Sequence, residues 1–153
     1  MIEFVTGDLF SYEANVRVNT VNCVGVMGAG VALAFKNKYP NMFNDYKDRC
    51  KRGIVIPGVP YEYQINENLS IINFPTKNHW KYQSEYTWIN TGLDWLSQYL
   101  SSRTDKIITL PALGCGHGGL DWNIVKDMII YYLSNSNNKI LVFNPNSSRI
   151  YHK

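Results

Sequence analysis

Short β-branched and aromatic runs alternate along this chain with segments whose apolar residues recur at helical spacing. The runs predict six strands, which are Met1–Val5, Val16–Val21, Tyr61–Ile65, Leu69–Phe74, Lys106–Leu110 and Lys139–Phe143. The polar tripeptide Asn66-Glu67-Asn68 predicts a hairpin turn between the third and fourth strands. Elsewhere strands alternate with helical segments, and this pattern favours an α/β layer fold with a mostly parallel sheet.

Four helices are predicted between the strands. The first covers Gly30–Tyr39 and is stopped by Pro40, and the second follows it and ends at Gly53. In the third, apolar residues recur at spacings of four, three and four, and Ser84 is the expected N-cap. The fourth begins at Trp122. Ligands of such folds bind beyond the carboxyl ends of the parallel strands.

Composition limits the class of protein. Of 153 residues, 45% are apolar and 14% aromatic, which suits one soluble domain and does not suit a disordered chain. No apolar run approaches the roughly 20 residues that cross a bilayer, so we expect no membrane contact. The net charge of +3 is too small a surplus to identify a partner.

The cysteines and histidines argue against a metal site. Cys23, Cys50 and Cys115 are odd in number and widely spaced, which disfavours a disulfide framework and a zinc site and suits a reducing cytoplasm. The three histidines form no pair at metal-ligand spacing. We therefore expect a cytoplasmic monomer without a metal or a cofactor.

The segment Asn22–Gly30 lies between a predicted strand and a predicted helix. Its glycines let backbone N–H groups approach an anion, and the helix N-terminus adds partial positive charge, so a diphosphate would fit. A structural turn with a glycine hinge fits equally well. No Gly-Lys-Ser/Thr tripeptide occurs, and Leu33 stands where a dinucleotide fingerprint needs its third glycine.

A second glycine-rich segment, Leu113–Gly119, follows the fifth predicted strand. Its four glycines lose more conformational entropy on folding than other residues would. A close approach of the backbone to a ligand would explain why glycines are present despite this cost. Cys115 and His117 could be drawn as a nucleophile and its base, but side chains two residues apart usually diverge and no orienting acid is evident. Cys115 is better interpreted as a small filler.

Two further candidate side chains follow predicted strands. Lys77 is bracketed by Pro75, Thr76 and Trp80, and a partly desolvated amine has a lowered pKa and acts as a nucleophile or base. An exposed loop lysine is the alternative. Asp8 either accepts a hydrogen bond from the exocyclic amine of a base or caps its local turn.

The order of these motifs resembles that of the macrodomains, which are ADP-ribose-binding proteins. The chain has Gly-Asp-Leu-Phe near its start, Asn-x-x-Gly-x-Met-Gly-Ala-Gly at a helix start, and Gly-Cys-Gly-x-Gly-Gly-Leu-x-Trp before the last helix. The resemblance extends from Gly7 to Phe143 and is greatest to the branch of the animal terminal ADP-ribose glycohydrolase and the bacterial DNA ADP-ribosyl glycohydrolase antitoxins. It implies a single three-layer α/β/α macrodomain over residues 1–153, with a mixed, mostly parallel central sheet.

The resemblance also implies site roles. Asp8 would take the adenine amine, Asn22 would hold the distal ribose, and Lys77 would attack or polarise its anomeric carbon, so Lys77 and Asn22 are the predicted catalytic pair. The two glycine-rich loops would clasp the diphosphate through backbone N–H groups. The other predicted ligand-binding residues are Leu9, Val24, Gly25, Met27, Gly28, Ala29, Gly30, Thr76, Gly114, Cys115, Gly116, His117, Gly118, Gly119, Phe143 and Asn144.

The implied function is a hydrolase that removes ADP-ribose from a macromolecule, with ADP-ribosylated thymidine in DNA as the expected substrate. The alternatives are a non-catalytic ADP-ribose reader and an ADP-ribose-1″-phosphate phosphatase. Gly118 stands where the animal enzyme has an aspartate that helps its lysine, so Asn22 or a phosphate-bound water would supply that polarisation. Single-stranded DNA is a further expected partner, with Lys36 and Lys81 as contacts to its backbone.

Overall fold

A six-stranded sheet runs through the computed structural model, which describes residues 1–145; residues 146–153 of the predicted domain lie outside the described part. The strands are β1 (Ile2–Val5), β2 (Val16–Val21), β3 (Tyr61–Asn66), β4 (Leu69–Pro75), β5 (Ile107–Leu110) and β6 (Lys139–Phe143). The helices are α1 (Gly30–Lys38), α2 (Pro40–Lys51), α3 (Tyr86–Ser101) and α4 (Trp122–Leu133), and a 3-10 turn covers Leu9–Ser11.

The strands are ordered β1-β6-β5-β2-β4-β3 across the sheet. Five of them are parallel, and only β3 runs antiparallel, against β4. The prediction of a mixed, mostly parallel sheet is therefore confirmed. Because the five parallel strands share one direction, the loops that follow them meet at a single edge of the sheet.

Helices cover both faces of the sheet. Successive residues of a strand point to opposite faces, so Ile71 packs with Phe35 and Tyr46 of α1 and α2, whereas Ile72 packs with the apolar residues of α3 and α4. Both clusters are buried, and this confirms the three-layer α/β/α arrangement. Within residues 1–145, none of the helices has the length and apolar character to cross a membrane.

The predicted start of α3 is wrong, and α1 ends at Lys38, one residue before the predicted Tyr39. α3 begins at Tyr86 and has Glu85 at its N-cap position, so Ser84 does not cap it. The backbone N–H of Ser84 instead donates to the carbonyl of Gly118 at 2.9 Å. A preference for serine at helix starts could not show this, because the partner belongs to a loop distant along the chain.

Arg17 ties the segment after β1 to the sheet. This side chain is buried on β2, and its two terminal nitrogens donate to the carbonyl oxygens of Leu9 at 2.7 Å and Tyr12 at 2.8 Å. Its guanidinium also lies 5.5 Å from the centroid of the Phe10 ring. Arg17 thus fixes the 3-10 turn that borders the carboxyl edge of the sheet.

We predict that Arg17→Met lowers the free energy of unfolding by about 3 kcal/mol, because two charge-assisted hydrogen bonds of a buried side chain are lost. Urea denaturation measures this change. Arg52→Met is the matched control: it removes an exposed ion pair with Asp48 and should change stability by less than about 0.5 kcal/mol. Equal stability of both variants would contradict the assignment.

Candidate functional site

A cavity of about 890 Å³ lies at the carboxyl edge of the parallel strands. Its wall includes residues that follow each of the five: Gly7 after β1, Asn22 after β2, Thr76 after β4, Pro111 after β5 and Asn144 after β6. This volume falls within the range of small-molecule and cofactor sites. The topology therefore brings the two glycine-rich loops and the Lys77 segment to one place.

Most of the predicted site residues line this cavity. They are Leu9, Asn22, Gly28, Ala29, Gly30, Thr76, Lys77, Gly114, Gly116, His117, Gly118, Phe143 and Asn144. Direct contact between any of them and a ligand stays a prediction.

Other predicted residues lie off the cavity wall; they are Asp8, Val24, Gly25, Met27, Cys115 and Gly119. Met27 is buried, and its sulfur accepts a hydrogen bond from Asn19 at 3.8 Å. Gly25 packs toward Cys50 of α2. An Asp8 carboxylate oxygen accepts from the N–H of Phe10 at 2.9 Å, so Asp8 caps the 3-10 turn.

Cys115 does not have the environment of a nucleophile. Its thiol donates to the carbonyl of Leu113 at 3.4 Å, and its side chain packs against the core beneath α3 and α4. Burial, with a smaller contribution from the charge of Asp121, raises the pKa of this thiol to about 12. At neutral pH the sulfur stays protonated, which supports the interpretation of Cys115 as a filler.

The N-terminus of α1 opens onto the cavity without a capping side chain. Ala29 occupies the N-cap position and makes no side-chain hydrogen bond, and Gly28, Gly30 and Val31 line the wall beside it. In α4, by contrast, Asp121 caps the helix by accepting from Asn123 at 2.8 Å. The first N–H groups of α1 have no side-chain acceptor at the N-cap and are available to an anion.

Asn22 holds the first glycine-rich loop in shape. Its amide oxygen accepts from the N–H groups of Val24 at 3.1 Å and Val26 at 3.4 Å, and its amide nitrogen donates to the carbonyl of Val26 at 2.7 Å. The buried hydroxyl of Tyr46 lies 2.7 Å from the same amide oxygen, and burial raises the pKa of Tyr46, which keeps it a donor. Asn22 is thus a positioning residue for the loop.

The ladder between β2 and β4 continues beyond the strands and holds Lys77 close to this loop. The N–H of Thr76 donates to the carbonyl of Val21 at 3.0 Å, and the N–H of Cys23 donates to the carbonyl of Asn78 at 3.2 Å. The Cys23 thiol donates to the carbonyl of Lys77 at 3.4 Å. The backbone of Lys77 is therefore fixed on both sides.

The amine of Lys77 is partly desolvated. Its Nζ donates to the carbonyl oxygen of Trp80 at 3.1 Å. Partial burial lowers the pKa of this amine below its ordinary value of 10.5. Lys77 is therefore neutral more often than a surface lysine, and a neutral amine is a nucleophile or a base.

Gly118 is required by packing. A Cβ atom at this position would lie 2.3 Å from the carbonyl oxygen of Gly114 and 2.4 Å from the Ser84 hydroxyl. Leu120 also donates its N–H to the Gly114 carbonyl, at 3.0 Å, so that carbonyl is held in place. No side chain can occupy position 118 unless the loop moves.

The segment after Lys77 forms a part of the wall that the motifs indicated only in part: they include Trp80 and Lys81 and omit Tyr82 and Gln83. Trp80, Tyr82 and Gln83 line the cavity, and Lys81 lies among them. Aromatic and polar residues alternate here over only four positions, so the pattern along the chain did not show that all four belong to the cavity wall. Gly7 and Val26 also line the wall and lie within the quoted motifs, whereas the lining residues outside those motifs are Thr20, Val21, Val31, Ala32, Pro111, Ala112 and Pro145.

The charged groups of the cavity wall are cationic. Lys77 and Lys81 belong to it, and among the described lining residues none is Asp or Glu. Across residues 1–145, no three His, Cys, Asp or Glu side chains gather into a group that could hold a metal ion. The absence of a metal and of a cofactor stays a prediction, while the wall itself suits an anionic ligand.

The site has the features of an anion-binding α/β domain. Its parallel strands end in glycine-rich loops, and an uncapped helix start and a desolvated lysine lie beside them. Comparison with known proteins identifies its family. The Macro domain family matches residues 18–129, and the chain belongs to that family.

Three similar proteins share a branch of the family. The DNA ADP-ribosyl glycohydrolase of Mycobacterium tuberculosis is 43% identical over 85% of this chain. The structure of the macrodomain of Thermus aquaticus DarG is 38% identical, with a TM-score of 0.87 over 95% of this chain and 99% of that one. The structure of Thermosipho africanus DarTG in complex with ADP-ribose is 33% identical, with a TM-score of 0.84 over 93% of this chain and 41% of that one. The chain spans 38% of the length of the M. tuberculosis protein.

We predict that Gly118→Ala lowers the free energy of unfolding by about 1–3 kcal/mol, because the added methyl group collides with a fixed backbone carbonyl. Gly116→Ala is the matched control in the same loop, since a Cβ there has nothing within 4 Å. Thermal denaturation of both variants and the parent protein measures the difference. If Gly118→Ala is as stable as Gly116→Ala, the packing requirement is wrong.

Proposed function

We propose that this macrodomain is an ADP-ribosyl hydrolase that removes ADP-ribose from a thymidine base of DNA. One observation carries the proposal: the uncapped N-terminus of α1 and the desolvated amine of Lys77 open onto the same cavity, on whose described wall no carboxylate lies. The similar M. tuberculosis protein is a DNA ADP-ribosyl glycohydrolase, which supports the activity, and the similar T. africanus structure is a complex with ADP-ribose, which supports the ligand.

The cavity suggests an orientation for ADP-ribose. The diphosphate lies between the N-terminus of α1 and the loop of Gly116 and Gly118, where backbone N–H groups replace the water around its oxygens. The adenine end lies beside Leu9 and Phe143, on the side of the wall that follows β1 and β6. The distal ribose then lies toward Lys77, beyond the end of β4.

Lys77 supplies the reactive group in this orientation. Its neutral amine attacks C1″ of the distal ribose while the bond from C1″ to the base breaks, and that electron pair leaves with the base nitrogen, which takes up a proton. Water then hydrolyses the carbon–nitrogen bond to Lys77, which releases ADP-ribose and restores the amine. Asn22 acts indirectly, because its side chain keeps the phosphate-binding loop in shape.

A hydrolase of this kind acts on the product of a DNA ADP-ribosyl transferase. We therefore propose an antitoxin-like role, in which the domain works as a cytoplasmic monomer and reverses that modification. The three described cysteines are free thiols, which suits a reducing compartment. Single-stranded DNA is the proposed form of the macromolecule.

We predict that Lys77→Ala and Lys77→Arg both slow the release of ADP-ribose from an ADP-ribosylated thymidine oligonucleotide by at least about 100-fold. Arginine keeps the charge but provides no neutral amine, so it should not rescue turnover. Release is followed by chromatography, and calorimetry should give an affinity for ADP-ribose within about threefold of the parent protein. Lys106→Ala, an exposed lysine at the opposite edge of the sheet, is the control.

Three results would count against the proposal. If the parent protein binds ADP-ribose and cleaves no linkage, the domain is a reader. If it releases phosphate from ADP-ribose-1″-phosphate and leaves the oligonucleotide intact, it is a phosphatase. If calorimetry detects no affinity for ADP-ribose, the assignment of the cavity is wrong.

We predict that kcat/KM rises with pH and levels off at an apparent pKa below 10.5. Burial favours the neutral amine of Lys77 and lowers its pKa, so the reactive fraction grows as pH approaches that lowered value. The measurement is enzyme-dependent release between about pH 6 and 10, with the uncatalysed rate subtracted. A profile that falls over this range would show that Lys77 acts in its protonated form instead.

A further inference from the structure

Two aromatic rings stand exposed at the mouth of the cavity. Trp80 is 50% exposed and Tyr82 is 66% exposed, although both line the same wall as Lys77. We call residues 79–83 the rim loop. Leaving large rings in water forgoes the stabilisation that their burial would give, so this arrangement suits a ligand that covers them.

The rings of the rim loop are held in place. The His79 ring lies between the other two, with centroids 5.2 Å from Trp80 and 5.6 Å from Tyr82. Its Nδ1 accepts from the N–H of Lys81 at 3.1 Å, and its carbonyl accepts from the N–H of Tyr82 at 3.1 Å. A ligand that stacks on these rings therefore pays little entropy to order them.

The rim loop is also cationic and adjoins the reacting amine. Lys81 Nζ lies 5.3 Å from the centroid of the Trp80 ring, and residues 77–83 contain no Asp or Glu. The carbonyl of Trp80 accepts the hydrogen bond from Lys77 Nζ. In the proposed orientation of ADP-ribose, the group attached to the distal ribose therefore lies next to Trp80 and Lys81.

We propose that the rim loop is a subsite for an unpaired nucleobase of the modified strand, with Trp80 and Tyr82 as its stacking surface and Lys81 as its phosphate contact. The inference rests on the proposed function and defines its substrate as single-stranded. Aromatic rings interleaved with a lysine are what sequence-tolerant stacking needs, whereas a base paired in a duplex has no free face. An apolar side chain of a modified protein would use the rings but would have no need of Lys81.

The test measures binding in the Lys77→Arg background, which retains a donor for the Trp80 carbonyl and should not turn over. Trp80→Ala with Tyr82→Ala should weaken binding of a single-stranded oligonucleotide that carries one ADP-ribosylated thymidine by about tenfold or more. Affinity for ADP-ribose alone should change by less than about twofold, and Trp80→Phe should recover most of the loss. Tyr131→Ala removes a ring that is 79% exposed on α4, away from the cavity, and is the control.

Lys81→Gln gives an independent readout. It should lower the salt dependence of oligonucleotide binding, with a reduction in the slope of log K against log salt of about 0.7, as expected when one phosphate contact to a single strand is lost. Binding of ADP-ribose alone should not show this change.

Each remaining outcome decides between the proposals. Unchanged oligonucleotide affinity in the double alanine variant overturns the subsite, and an equal loss for ADP-ribose means that the rings belong to the ADP-ribose site. If the double alanine variant loses as much affinity for an ADP-ribosylated peptide as for the oligonucleotide, the rings contact apolar groups in general and the nucleobase subsite is wrong. If the selective loss appears but the parent protein hydrolyses no linkage, the subsite stands and the hydrolase proposal fails.

Discussion

The pairing of β2 with β4 sets the distance between the first glycine-rich loop and Lys77 in the cavity. Val21 is in register with Pro75, and two further backbone hydrogen bonds, Thr76 to Val21 and Cys23 to Asn78, extend the pairing beyond the strands. The first glycine-rich loop follows one strand and Lys77 follows the other, so both are fixed to the same ladder. A slip of one residue would shift Lys77 by about 3.3 Å and reverse the direction of its side chain.

The cavity presents uncapped backbone N–H groups of α1, which the net charge of +3 does not count. A serine or aspartate in place of Ala29 would put its own oxygen on the first N–H groups of α1 and would stabilise the helix by about 1 kcal/mol. α1 lacks such a capping side chain, whereas α4 has one in Asp121. The difference matches the position of each helix start, since only that of α1 lines the cavity.

Much of the fold and part of the site could be predicted from the sequence. Local sequence patterns predict the succession of strands and helices along the chain, the glycine-rich loops and the candidate Lys77, because each depends on adjacent residues. The hydrogen bond from Tyr46 to Asn22 could not be predicted, since Tyr46 lies 24 residues away on α2. Met27 belongs to the same motif but points into the core, because a contiguous motif does not show which of its side chains face the ligand.

Gly118 limits which side chains a substitution can bring into the cavity wall of this chain. Because a Cβ at this position meets the Gly114 carbonyl and Ser84, no single substitution can place a carboxylate there without rebuilding the turn. A carboxylate in this part of the wall would therefore have to come from an insertion that lengthens the loop, or from a different strand end. The tight turn thus restricts which side chains substitution alone can add to this loop.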